Sequence, residues 1–137
     1  MNRTDLQNLA EERLADAEVL LANRRFGGAY YLAGYVIECA LKACIAKLTK
    51  PEDFYDKDLA KRVFVHDLAR LTDLARLSAV MKPLSESDPE FEANWARVNE
   101  WSEESRYESH SEEEATTMLA AVSDPDHGVL RCLRRYW

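Results

Sequence analysis

The sequence predicts an all-α protein, an up-and-down bundle of five to six helices around a central apolar second helix. Apolar residues recur at steps of three and four along most of the chain, the spacing of one helix face. Residues 29–48 are apolar on nearly every face, interrupted only by Glu38, Lys42 and Lys47, as expected of a helix enclosed by others. No segment alternates polar and apolar residues in the manner of a half-buried strand. Four glycines and four prolines in 137 residues leave room for long helices, and this length suits one compact domain spanning 1–137 better than two.

The elements follow in order. Thr4 or Asp5 is expected to cap a first helix carrying Leu6, Leu9, Leu14, Ala17, Leu20 and Leu21 and ending near Asn23. Gly27 and Gly28 permit a tight turn before the central helix, Ala29 to Leu48, which Thr49-Lys50-Pro51 stops because proline disfavours helix in the residue before it. A loop with Phe54 and Tyr55 leads to a short helix over 56–64, and Leu68, Leu71, Leu74, Ala75 and Leu77 build the next stripe. Pro83 and the segment Ser85 to Asp88 mark a break, after which Asp88-Pro89 opens a helix with the aromatic ridge Phe91, Trp95, Val98 and Trp101. Ser102 to Ser111 reads as a polar linker. Ser111 with Glu112, Glu113 and Glu114 predicts a capped helix running through Val122, and Asp124-Pro125 a last helix to about Tyr136 with Val129, Leu130 and Leu133 inward.

Charge and cysteine content narrow the function classes. The net charge is −7, and residues 86–114 concentrate eleven Asp or Glu against Arg97 and Arg106. A polyanion such as RNA meets a repulsive field there. The basic residues Arg131, Arg134 and Arg135 suit the last turn of a helix, where cations complement the macrodipole. Cys39, Cys44 and Cys132 form an odd set without metal or redox spacing and read as small buried apolar residues, so neither metal nor cofactor is expected. The longest charge-free run, Phe26 to Ile37, is 12 residues, short of a bilayer span, and the charged N-terminus lacks an apolar signal region; cytoplasmic residence is the expectation.

The segment Arg25 to Ala43, RFGGAYYLAGYVIECALKA, resembles the second helix of HEPN domains. The phrase Glu12 to Glu18, ERLADAE, the triplet His66-Asp67-Leu68 ahead of Leu71, and Trp101 preceding Arg106-Tyr107 extend the resemblance over most of the chain. It implies a helical bundle, commonly a homodimer, often encoded with a minimal nucleotidyltransferase in toxin and antitoxin pairs. Some members are metal-independent ribonucleases with an Arg, four to six intervening residues and a His at a cleft between two subunits. Such partners can silence HEPN proteins by modifying a tyrosine beside the motif, which implies Tyr107 here.

A ribonuclease using a 2′-hydroxyl needs proton transfer and a fixed cation at the phosphate, which His and Arg supply. The candidates are Arg106 and His110, with only Tyr107, Glu108 and Ser109 between them; a helical linker would bring both to one face. Glu38 is the third candidate, by resemblance. As an acid inside an apolar helix it needs a cation such as Lys42 or Arg106, or a shared cleft. The plain alternatives are an Arg106 paired with Glu103, an exposed linker His110, and a His66 that merely precedes the helix capped by Asp67. Tyr30, Tyr31 and Tyr35 fit a core or a dimer interface. Two functions follow: a dimeric interaction module engaging a nucleotidyltransferase, or an endoribonuclease toxin with Arg106 and His110 at the dimer cleft.

Overall fold

The computed structural model describes residues 1–49, 61 and 64–137. Among the described residues the chain forms seven α-helices, one 3-10 helix and no strand. They are α1 (Arg3–Ala22), α2 (Phe26–Leu48), α3 (Leu68–Leu74), α4 (Ser78–Ser87), α5 (Pro89–Asn99), the 3-10 helix Glu103–Tyr107, α6 (Glu112–Ser123) and α7 (Val129–Leu133). The all-α expectation holds, with more and shorter helices than the five to six expected. Lys50-Pro51, the loop with Phe54 and Tyr55, and nearly all of the short helix expected over 56–64 lie outside the described residues.

α2 is the axis of the bundle and packs against α1, α3, the 3-10 helix, α6 and α7. By length and composition it could cross a membrane, yet 72% of its most apolar window is buried by the rest of the chain, the position of a core helix. α1 lies along it with Ala10 and Ala17 fully buried against the core. Small side chains let two helix axes approach closely, and α2 carries the buried Ala29, Ala33 and Ala40. One continuous core cluster extends from Ala10 through Phe91 to Leu133.

Four local details depart from the sequence expectations. α1 is capped by Asn2 in a reciprocal box with Asp5, two or three residues before the expected cap at Thr4 or Asp5. The turn into α2 uses Arg24, at φ 61°, whereas Gly27 and Gly28 sit inside the first turn of α2. The amides of Arg24 and Arg25 donate to the carbonyls of Leu21 and Leu20, a paired closure that requires a left-handed residue just past the helix. Pro83 lies within α4 on its exposed side, where solvent can take up the carbonyl that loses its amide partner. After Asp124 the chain makes a turn, and α7 begins only at Val129.

Distant segments are then clipped together. Asp88 Oδ1 accepts the amides of Glu90 and Phe91 at 3.1 Å each, capping α5, while its Oδ2 meets Nδ1 of His127 at 2.7 Å. His127 Nε2 lies 3.1 Å from Glu90 Oε2, so the loop before α7 is bound to the start of α5. Arg134 makes a two-pronged bond to Glu11 at 2.9 and 2.7 Å, tying the C-terminal turn to α1.

Candidate functional site

The site grows from one face of α2. Steps of four, three and four residues align Tyr31, Tyr35, Glu38 and Lys42, the face that the other helices cover least. Glu38 is nonetheless only 2% exposed. A carboxylate so enclosed requires compensation, and two groups provide it. Lys42 Nζ lies 3.3 Å from Oε2, one helical turn away, and His66 Nδ1 lies 2.8 Å from Oε1. His66 reaches this position because Asp67 caps α3, its Oδ1 accepting the Arg70 amide at 3.1 Å, which holds the preceding residue against α2.

The chain of ion pairs continues outward. His66 Nε2 lies 3.3 Å from Glu103 Oε2, and Arg106 donates from its NH1 nitrogen to Glu103 Oε1 at 3.1 Å. Three residues per turn place Glu103 and Arg106 on the same side of the 3-10 helix. That helix is pinned by Trp101, whose Nε1 donates to the carbonyl of Tyr31 at 3.1 Å and whose ring stacks on Tyr31. Gly34 makes room for it. Its missing Cβ would lie 2.1 Å from Trp101 Cδ1, so only glycine fits. Lys42, Glu38, His66, Glu103 and Arg106 thus form one alternating series from the interior to the surface.

Arg106 also lies over the ring of Tyr107, 4.7 Å from its centroid. The neighbouring Tyr107, and then the charge of Glu103 and the nearby Tyr31, hold its guanidinium above its ordinary pKa. Tyr31 and Tyr35 stack at 6.2 Å, and Tyr107 is 77% exposed, so Tyr35, Tyr31, Arg106 and Tyr107 make a continuous aromatic and cationic surface. Burial, with Cys39 beside it, pushes the Tyr35 hydroxyl up to about 12.

His110 stands apart from this series. The 3-10 helix stops at Tyr107 and Glu108 is extended, so the linker brings Arg106 and His110 to no common helix face. The His110 ring stacks on Tyr30 at 3.8 Å, and its side chain is 6% exposed instead of the exposed linker histidine anticipated. Nδ1 lies 3.0 Å from Glu114 Oε2, an interaction that depresses the Glu114 carboxyl, whereas Nε2 is buried without a hydrogen-bond partner among the described residues. Burial, then Glu100, Glu114 and Glu108, raises the pKa of Tyr30.

Of the sequence candidates, Glu38 and Arg106 therefore join one network, and Arg106 pairs with Glu103. Glu38 reaches Arg106 through His66 and Glu103, two residues that sequence reasoning did not link to it. The available signal was the acid itself, since a carboxylate in an apolar helix demands cations and His66 precedes a well-marked cap. Cys39, Cys44 and Cys132 are free and buried, with burial pushing Cys39 to about 11 and Cys44 to about 12. Such thiols are poor nucleophiles and ligands. Among the described residues no group of three His, Cys, Asp or Glu side chains is arranged to hold a metal.

Fold and site together define an all-α bundle with a buried carboxylate–histidine centre leading to a surface arginine. Comparisons with protein-family models, with curated proteins and with solved structures return no match.

Proposed function

We propose that this protein is a HEPN-type interaction module that self-associates and engages a partner protein, a nucleotidyltransferase in a toxin and antitoxin type system, rather than an RNA-cleaving enzyme. The observation that carries this reading is the continuous surface of Tyr35, Tyr31, Arg106 and Tyr107. Tyrosine and arginine supply large contact area with few rotatable bonds and dominate the energetics of protein interfaces. Tyr107, stacked under Arg106 and well exposed, is also, among the described residues, the tyrosine most available to a modifying partner.

The groups that would perform catalysis are engaged within the chain. Arg106 is neutralised by Glu103, His110 is sandwiched between Tyr30 and Glu114, and carboxylates surround both. Glu100, Glu108, Glu112 and Glu113 add to a field that opposes an RNA backbone. Sedimentation equilibrium tests the self-association. The wild type should be a dimer at micromolar concentration, and Tyr35→Ala or Tyr107→Ala should weaken it at least tenfold. A wild type that stays monomeric to high concentration would refute the dimer.

One observation favours a second reading, a metal-independent endoribonuclease with Arg106, His110 and Glu38 at the cleft between two copies. The buried His110 Nε2 lacks a hydrogen-bond partner among the described residues, with Glu108 Oε2 3.9 Å away, as a proton-transfer atom awaiting a second subunit or substrate would. Growth arrest and RNA cleavage that disappear in both Arg106→Ala and His110→Ala would favour it.

A further inference from the structure

Glu103 holds a position that an external ligand would occupy. Its two carboxylate oxygens are divided between His66 Nε2, at 3.3 Å, and Arg106, at 3.1 Å. The ring of His66 is fixed from behind by Glu38, which takes Nδ1 at 2.8 Å and is itself balanced by Lys42. A buried acid in that place sets the orientation of the imidazole and directs its other nitrogen outward. An imidazole with carboxylates at both nitrogens donates to both only in its protonated form, and in that form His66 faces Glu103 as a second cation beside Arg106.

We propose that His66 and Arg106 form a seat for an oxyanion, a phosphate or carboxylate group, which the Glu103 side chain occupies in the free protein. Three features make the occupant exchangeable. The side chains of His66, Glu103 and Arg106 are 40%, 33% and 43% exposed, and ion pairs at that exposure are held weakly. Glu103 stands on a five-residue 3-10 helix, where a side-chain rotation frees both cations without unfolding an α-helix. An open groove of about 390 Å³, lined by His66, Leu68, Trp101, Ser102 and Glu103, adjoins the seat and has room for the group carrying the anion. Asp67 and Glu104 also line this groove and oppose a second negative charge, which limits affinity to small or singly presented anions. Tyr35 and Tyr107 do not line the groove, although Arg106 belongs both to the seat and to the surface proposed for self-association.

The test is a titration of the full chain with inorganic phosphate at about pH 6, where a histidine is substantially protonated. The long-range nitrogen–proton NMR signals of the three histidines would be followed. Glu103→Gln removes the resident charge at constant shape. It should bind phosphate at least tenfold more tightly than wild type, with 1:1 saturation and shifts confined to His66. Adding Arg106→Gln or His66→Gln to Glu103→Gln should abolish the gain. Because His66→Gln also strips a partner from Glu38, Arg106→Gln on an exposed side chain decides the matter if the former fails to fold. Acetate in place of phosphate separates the two ligand sources, equal binding indicating a carboxylate seat and preference for phosphate a phosphoryl seat. The proposal falls if Glu103→Gln binds neither anion better than wild type, or if the gain survives Arg106→Gln.

Discussion

A methyl group at position 34 would collide with Trp101, whose seat on Gly34 and Tyr31 helps to join α2 to the segment carrying Glu103 and Arg106. Gly34→Ala must displace the indole and break its 3.1 Å bond to the Tyr31 carbonyl. Overpacking of this kind costs about 1–3 kcal/mol, so the variant should show that loss in urea denaturation together with a red-shifted tryptophan emission. Glu38 makes a complementary case. Removing His66 leaves the buried carboxylate with Lys42 alone, and an under-satisfied charged group costs about 1–3 kcal/mol. His66→Ala should therefore be destabilised by that order, and His66→Ala/Glu38→Leu should recover most of the loss, as replacement of a buried polar pair by apolar volume does. A double variant no more stable than His66→Ala alone would show that the pair is not the source. At this scale the sequence was partly readable. Glu38 announced itself as an acid in an apolar helix, but its partner 28 residues away did not. His110 misled for the opposite reason: acidic neighbours in sequence suggested exposure, while Tyr30, far along the chain, covers the ring.

Helix ends carry two further predictions. α1 and α3 both terminate on an arginine in the left-handed conformation, Arg24 at φ 61° and Arg76 at φ 58°. In each, the two amides that follow the last turn donate back into it, for α3 from Arg76 to Asp73 and from Leu77 to Thr72. A side chain with a Cβ costs about 1–2 kcal/mol in this region, and glycine avoids that while adding freedom to the unfolded chain. Arg76→Gly should thus raise stability by up to about 1 kcal/mol, and a loss of stability would contradict the strain. Neither arginine marked a turn in the sequence, where Gly27 and Gly28 were the stronger signals.

The second element prediction concerns pH. The bond to Asp88 raises the pKa of His127, and the same bond, with the amides of Phe91 and Glu90, lowers that of Asp88. A histidine raised in the folded state contributes fully below its ordinary value of about 6.5 and loses that contribution as pH rises through the raised value. An aspartate lowered in the folded state contributes above its ordinary value of about 3.8 and loses it as pH falls. The melting-temperature difference between wild type and His127→Ala should therefore be greatest from about pH 4 to 6.5 and shrink at higher pH. A difference that grows with alkalinity would reverse the assignment. The Asp88 cap was legible because Asp-Pro before an apolar stripe is a local signature, whereas the clip to His127 joins residues 39 apart.

For the whole molecule, the periodicity of residues 29–48 sufficed to predict a helix that others must enclose, and the structure encloses it on five sides of contact. Its apolar character is satisfied within the chain except at the half-buried Tyr31, Leu32 and Tyr35 and at the exposed Leu48 near its C-terminal end. The excess of acidic residues between 86 and 114 is distributed over caps, ion pairs with histidines and the exposed side of α6, so much of it serves local structure while still repelling polyanions. The pairing of Arg106 with Glu103 was readable from their spacing, whereas the link from Glu103 to His66 was not, because Glu103 acquires its position only when a five-residue 3-10 helix forms.

The central claim is that Arg106 and His110 serve binding and structure, not RNA cleavage. Incubating purified protein with a labelled RNA containing all four nucleotides, in chelator and beside His110→Ala, tests it most directly. The account predicts no cleavage above buffer by either protein; metal-independent cleavage by the wild type that His110→Ala abolishes would contradict it.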